Sequence, residues 1–327
     1  MTRRLVAACA LVAAVLVVPA HARELTGDWM ATVSEKRPDK LQLSLKYRHS
    51  ENSSSRFSKT EFVGLTEAQI VSTTRVPVEF LIKREAGTIS FEGTFRAGHG
   101  AGEFKFVADP AYAGKLRSIG MDHAPKPDDD EMFALTIFDV STDFIRSMHK
   151  AGYDVPLDMY MQFRIFDVNP DYVRAMSEVG FTKLRAEKLV ETRIHGATPE
   201  YIREMRAAGN DLTLDEYIQS RIFQVTPEFA AEMERAGYAN LDHDQLVQFR
   251  IHGVTPEFVQ QLRQLGYSKV PADQLVAMRI HGVTPEFIRR VEAAGYRKVP
   301  IDKLVQMRIF DIDPEMVRAL DDGKHVD

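Results

Sequence analysis

The chain has 327 residues, 44% hydrophobic and 27% charged, a composition of folded domains that excludes wholesale disorder. Its 42 basic and 47 acidic residues leave a formal charge of −5, which argues against a nucleic-acid binder, since those carry basic patches. One cysteine, Cys9, excludes a disulfide framework.

Residues 1–22 have the layout of a cleavable export signal. Arg3 and Arg4 are followed by the uncharged apolar run Leu5 to Val18, and then by Ala20-His21-Ala22. The run is shorter than the roughly 20 residues that span a bilayer as a helix, so no stable membrane insertion is expected after cleavage. It also continues past Cys9, which argues against a lipidation site there. Cleavage leaves 42 less two, or 40, basic residues against 47 acidic ones, a charge of −7. The expected location is the periplasm or the medium.

Residues 23–108 read as a small antiparallel β domain. Trp29 to Val33, Leu41 to Tyr47, Val78 to Lys83, Thr88 to Phe95 and Glu103 to Val107 are short runs rich in β-branched and aromatic residues. Gly98 to Gly102 reads as the hairpin loop before the last of them. Gly27-Asp28-Trp29 resembles the opening of a lipocalin strand. That resemblance implies an alternative function, binding of a small apolar ligand in a cavity among Trp29, Leu43, Phe80 and Phe91.

Residues 109–320 are periodic. R-I-H-G-V-T-P-E-F begins at Arg250 and Arg279 and, with two changes, at Arg193; diverged copies begin at Thr136, Arg164, Arg221 and Arg308, spaced by 28 or 29 residues. The residue before the Pro slot is Asp109, Ser141, Asn169, Thr198, Thr226, Thr255, Thr284 or Asp313, each a good N-cap. Pro follows at the first helical position in most copies, then an acid. About ten residues on comes Gly120, Gly152, Gly180, Gly209, Gly237, Gly266 or Gly295, in most copies before an apolar residue, the signature of a Schellman stop. A second helix opens near Pro156, Pro271 or Pro300 and ends after an Arg-Ile pair. Such short helices are marginal alone. The fold class is therefore α+β: the β domain, then an α-solenoid of about seven helical hairpins, with a polar tail at 321–327.

Aligned copies assign roles to columns. Ile137, Ile165, Ile194, Ile222, Ile251, Ile280 and Ile309 form an unbroken column, assigned to the core, as are Met148, Met176, Met205, Met233, Leu262 and Val291. His195, His252 and His281 suggest a metal site. Their column also holds Phe138, Phe166, Phe223 and Phe310, so a packing role is expected, with no metal and no cofactor. Arg164, Arg193, Arg221, Arg250, Arg279 and Arg308 are expected to pair with acids of their own or the next hairpin rather than to bind an anion. The candidate interaction face is the column Arg146, Arg174, Arg203, Gln260, Arg289 and Arg318, which also contains Ala231.

The string F-E-G-T-F-R-A-G-H-G-A-G-E-F-K-F and the R-I-H-G-V-T-P-E-F repeats resemble the extracytoplasmic C-terminal region of bacterial membrane-bound zinc peptidases of the β-lactam-sensor type, over about 88–320. The HExxH of that family is missing from this chain, and so are CxxC, Walker and G-x-S-x-G strings. No catalytic residue is carried over. The resemblance implies a sensor or interaction ectodomain free of its enzyme. The expected function is an exported, non-enzymatic module docking a protein or cell-envelope ligand; an unrecognised hydrolase using scattered acids is the third reading.

Overall fold

The computed structural model describes residues 24–34, 37–47, 51–121, 127–313 and 315, with backbone alone at 51–54. The expected leader, the segment 122–126, Arg318 and the tail at 321–327 lie outside the described residues. The fold class is α+β, an antiparallel sheet followed by repeated helical hairpins. The chain divides into two compact units, 1–170 and 171–327.

In the first unit six strands form one antiparallel sheet: β1 (Leu25–Ser34), β2 (Arg37–Tyr47), β3 (Glu51–Ser58), β4 (Val76–Lys83), β5 (Gly87–Arg96) and β6 (His99–Ala108). Their order is β3-β2-β1-β6-β5-β4. Strand β3 has no counterpart in the sequence reading, because Glu-Asn-Ser-Ser-Ser carries no apolar alternation. Backbone pairing with β2, from Lys40↔Ser58 to Tyr47↔Glu51, makes it an edge strand. The loop expected at Gly98 to Gly102 is in fact two residues, Ala97 and Gly98, both at positive φ. That is the geometry a tight hairpin of right-handed twist requires. Gly100 and Gly102 belong to β6.

Those strand glycines make room for rings. Trp29 pairs across to Gly102, which pairs across to Gly93. A Cβ on Gly102 would lie 1.9 Å from the Glu92 carbonyl oxygen, and one on Gly93 would lie 2.8 Å from the indole. The indole N–H donates to that same Glu92 carbonyl at 3.0 Å. Around Trp29, Phe80 and Phe91 stack at 4.6 Å, and Phe95 lies 5.6 Å from the indole. Phe62 bridges Phe57 on β3 and Phe80 on β4, at 5.7 and 5.4 Å, so the two edges of the curled sheet share one ring cluster.

Helix α1 (Glu67–Val71) precedes β4; the repeats follow the sheet. Their first helices are α2 (Tyr112–Ser118), α4 (Thr142–Lys150), α6 (Pro170–Glu178), α8 (Pro199–Ala207), α10 (Pro227–Arg235), α12 (Pro256–Gln264) and α14 (Pro285–Ala293). The second helices are α3 (Asp129–Ile137), α5 (Leu157–Ile165), α7 (Ala186–His195), α9 (Leu214–Phe223), α11 (His243–His252), α13 (Ala272–Ile280) and α15 (Ile301–Ile309). The caps are as the columns predict: Ser141, Thr198, Thr226, Thr255 and Thr284 each accept from the N–H three residues on. The exception is α2, which starts two residues after Pro110, with Asp109 closing the turn before it on the Ala111 N–H. The Schellman bonds are present too, as in Tyr238 N–H to the Met233 carbonyl at 2.9 Å. After the Gly stop, Tyr238 and Tyr267 also send hydroxyls to the Val270 and Val299 carbonyls of the following hairpin, at 2.7 and 2.8 Å.

The sheet does not end at residue 108 as a packing unit. Phe133 of α3 stacks on Phe104 at 5.6 Å and meets Phe106 and Tyr47 at 5.2 and 5.1 Å. The β4–β5 turn reaches out as well. Arg84 bridges Glu61 and Asp139, while Glu85 accepts from the Thr142 N–H at 2.7 Å. A carboxylate at the start of α4 compensates its unpaired N–H groups.

Two outcomes follow. Gly102→Ala should cost about 3 kcal/mol or more in urea unfolding, because backbone blocks the new methyl. Gly114→Ala, with nothing within 4 Å, should gain about 0.5–1 kcal/mol from the lost glycine entropy. Burial also pushes the Tyr160 hydroxyl up to about 12 and raises Tyr112, Tyr172 and Tyr238. Neutral tyrosine is then favoured in the fold, so stability is full below about pH 10 and is lost as pH rises from there. Tyr160→Phe should reduce the slope of urea midpoints between about pH 10 and 12.

Candidate functional site

Within the second unit the second helices stack in sequence, α7 on α9, α9 on α11, α11 on α13 and α13 on α15. The core they enclose with the first helices is apolar. Leu275 and Met278 on α13, Phe249 on α11, and Val259, Leu262, Ile288 and Val291 on the first helices are all buried.

The isoleucine column is not part of this core. Ile194, Ile222, Ile251, Ile280 and Ile309 are 44–54% exposed, and in the first unit Ile165 is 42% exposed; Ile137, held near the sheet, is buried. Helix geometry accounts for the correction. At about 100° per residue, Ile280 is rotated roughly 200° from Met278 and 140° from Leu275, so an inward Leu-Met stripe turns it outward. An unbroken apolar column looks like core in one dimension, and its angular position decides otherwise.

The arginine before each isoleucine is structural, but its partners differ from those expected. Arg164 pairs with an acid, Asp139, at 3.1 Å. In four copies the guanidinium reaches back to the end of the preceding second helix, whereas the buried Nε of Arg250 has no hydrogen-bond partner among the described residues. Nε donates to the Phe138 carbonyl from Arg164 (2.8 Å), to His195 from Arg221 (3.4 Å), to His252 from Arg279 (3.1 Å) and to His281 from Arg308 (3.4 Å). Each cation thus meets the negative end of a helix dipole. Planar groups of the column also lie over rings on the first helix of their own hairpin. Arg193 is 3.9 Å from Tyr172, Arg250 is 3.8 Å from Phe229 and Arg279 is 5.1 Å from Phe258.

The stop residue explains why the guanidinium fits. Gly196, Gly253 and Gly282 have φ of 73°, 68° and 72°, and a Cβ on Gly253 would come within 2.9 Å of Arg279. In other copies Asp139, Asp167, Gln224 and Asp311 hold the same left-handed turn. His195, His252 and His281 stand just before it, half-buried. Among the described residues no group of His, Cys, Asp or Glu is placed to hold a metal ion.

The candidate face is solvated and internally paired. Arg146, Arg174, Arg203 and Arg289 are half to two-thirds exposed. Each bridges an acid three residues earlier on its own helix, at 2.8, 2.8, 3.6 and 3.2 Å. Arg203 also reaches Glu178 of the preceding first helix at 3.7 Å, and Gln260 is exposed. Within the second unit Arg174, Arg203, Gln260 and Arg289 hold the same position on their first helices but are not joined into a pocket. On the sheet, the space among Trp29, Leu43, Phe80 and Phe91 is occupied by packed rings. The opposite face carries Asp28, Glu103, Glu92 and Glu79 in register across four strands, all exposed.

No described helix is long and apolar enough to cross a membrane. Comparison of the chain with family models, curated proteins and solved structures returns no match.

Arg279→Ala should therefore destabilise the protein by about 1–2 kcal/mol in urea unfolding, from a charge-assisted hydrogen bond and a stacked ring. Arg279→Lys should restore less than half of that, for want of a planar group. Arg289→Ala, an exposed pair on one helix, should fall within about 0.5 kcal/mol of the parent.

Proposed function

We propose that the chain is an exported, non-enzymatic docking module that binds an extended segment of a partner protein along its repeats. The observation that carries this reading is the outward isoleucine column. Five hairpins of one unit each hold a large aliphatic side chain, about half exposed, at the same structural position. Packing inside a hairpin does not require it there, and a large exposed apolar surface marks an interaction site. The flanking arginines are already committed to carbonyls and rings within the repeats, so the ridge offers apolar contact edged by half-buried rings.

The spacing favours an extended occupant. Packed helices lie about 8–10 Å apart, and a polyproline II strand rises about 9 Å in its three-residue turn. A ligand with an apolar side chain at every third residue would keep step with successive isoleucines. A sensor or interaction ectodomain, as the sequence resemblance implies, is consistent with such a ridge. The ring-filled interior of the sheet and the self-paired arginine face support this ridge over the other two surfaces.

Selection of random peptides on the immobilised full chain tests the reading. Recovered peptides should carry apolar residues at intervals of three. The double change Ile251→Asp and Ile280→Asp should abolish their binding while leaving stability within about 1 kcal/mol, since both sites are exposed. Peptides that bind the double variant as well as the parent would contradict the proposal.

A further inference from the structure

One hairpin interface departs from the repeat pattern at three places that converge. The fourth position of α10 is Ala230, where α4, α6, α8, α12 and α14 hold Ile145, Val173, Ile202, Val259 and Ile288. The residue before the column arginine on α9 is Ser220, where α5, α11 and α13 hold Phe163, Phe249 and Met278 and α7 holds the larger Thr192. The first residue of α11 is His243, where the preceding and following second helices hold Leu157, Ala186, Leu214, Ala272 and Ile301. Missing carbon at the first two leaves a cavity of about 110 Å³, lined by Met205, Leu212, Val225, Leu246 and these three residues among others. It shares Asn210, Ala230, Leu241 and Leu246 with a more open cleft of about 270 Å³.

Ser220 is 1% exposed, and its Oγ lies 2.9 Å from His243 Nε2. The His243 side chain is 9% exposed, and its Nδ1 is buried with no hydrogen-bond partner among the described residues. The nearest carboxylate, Asp244 Oδ1, is 4.0 Å away, beyond hydrogen-bond reach. A buried unpaired imidazole nitrogen is costly in a fold that otherwise satisfies its polar groups.

The preceding hairpin offers a pair of known direction for comparison. There Thr192 donates to the Leu189 carbonyl at 2.8 Å, so the Tyr172 hydroxyl, 2.8 Å away, must be the donor of that pair. Tyr201 and Ser220 occupy the equivalent positions. The neutral tautomer that accepts the Ser220 proton at Nε2 carries its own hydrogen on Nδ1. In that tautomer Nδ1 is a donor without a partner among the described residues, on a residue that lines the cavity.

We infer that this cavity is a binding site for a small, uncharged, mostly apolar molecule carrying one hydrogen-bond-accepting oxygen, such as a compact ketone, amide or lactone. The oxygen accepts from His243 Nδ1, and the hydrocarbon body takes the volume that an isoleucine fills elsewhere. An anion is disfavoured. The Glu216 carboxylate, held below the usual range by the Thr213 N–H and hydroxyl, senses the imidazole, and Asp242 and Asp244 flank it. The site is separate from the isoleucine ridge and does not depend on the docking proposal.

The test is a titration of the full chain with cyclopentanone, read on the ring nitrogen and carbon resonances of His243. The expected result is a saturable shift. Methylenecyclopentane, of like shape without the oxygen, should bind on the order of tenfold more weakly, the worth of one hydrogen bond. Ala230→Val, which installs the residue of two other hairpins, should abolish the shift while the fold and any peptide binding on the ridge persist. If no saturable shift appears, if both probes bind equally, or if the Ala230→Val protein still responds, the inference is overturned. If Ala230→Val also disrupts the fold, Ser220→Ala serves in its place; its cyclopentanone shift must differ from the parent, and an unchanged shift likewise overturns the inference.

Discussion

A helix of nine or ten residues does not persist alone in water, because nucleation costs more than so few hydrogen bonds return. Every second helix from α5 to α15 is of that length, so each borrows stability from the next. The loan is specific. An arginine from one hairpin covers the carbonyl end of the second helix before it and lies over a ring of its own hairpin, while tyrosine hydroxyls tie loops to the following hairpin. These contacts reach one repeat and no further, as expected of a quasi-one-dimensional array.

That local wiring frees other columns. Once Leu275 and Met278 face inward and Arg279 faces the preceding hairpin, Ile280 has only solvent or a partner to meet. The most regular feature of the sequence is thus divided between an internal staple and an external ridge. At one interface the wiring itself changes. Ser220, Ala230 and His243 replace larger or apolar residues and leave an enclosed space with an imidazole in its wall.

Much of this was legible in the sequence, for reasons that are local. N-caps, Pro at the first turn and Gly at the stop act within four or five residues, so Thr255 to Gly266 specifies its own helix without help from the fold. Strand β3 was not legible, since its polar residues pair only because β2 lies beside them. The isoleucine column misled because repetition shows that a residue matters and not which way it points. The arginines misled because acids are visible as letters, whereas the carbonyl of His252 and the face of Phe258 become partners only in three dimensions. His243 was hidden by being a single departure within a repeat whose other histidines stand in a different column.

Hydrogen exchange in the intact chain, followed at increasing sub-denaturing urea, tests the dependence of each hairpin on its neighbours most directly. The amides of α7 to α13 should be protected by far more than a free nine-residue helix allows, and should open together in blocks of adjacent hairpins. Helices that exchange one by one, each with its own small protection, would contradict the account.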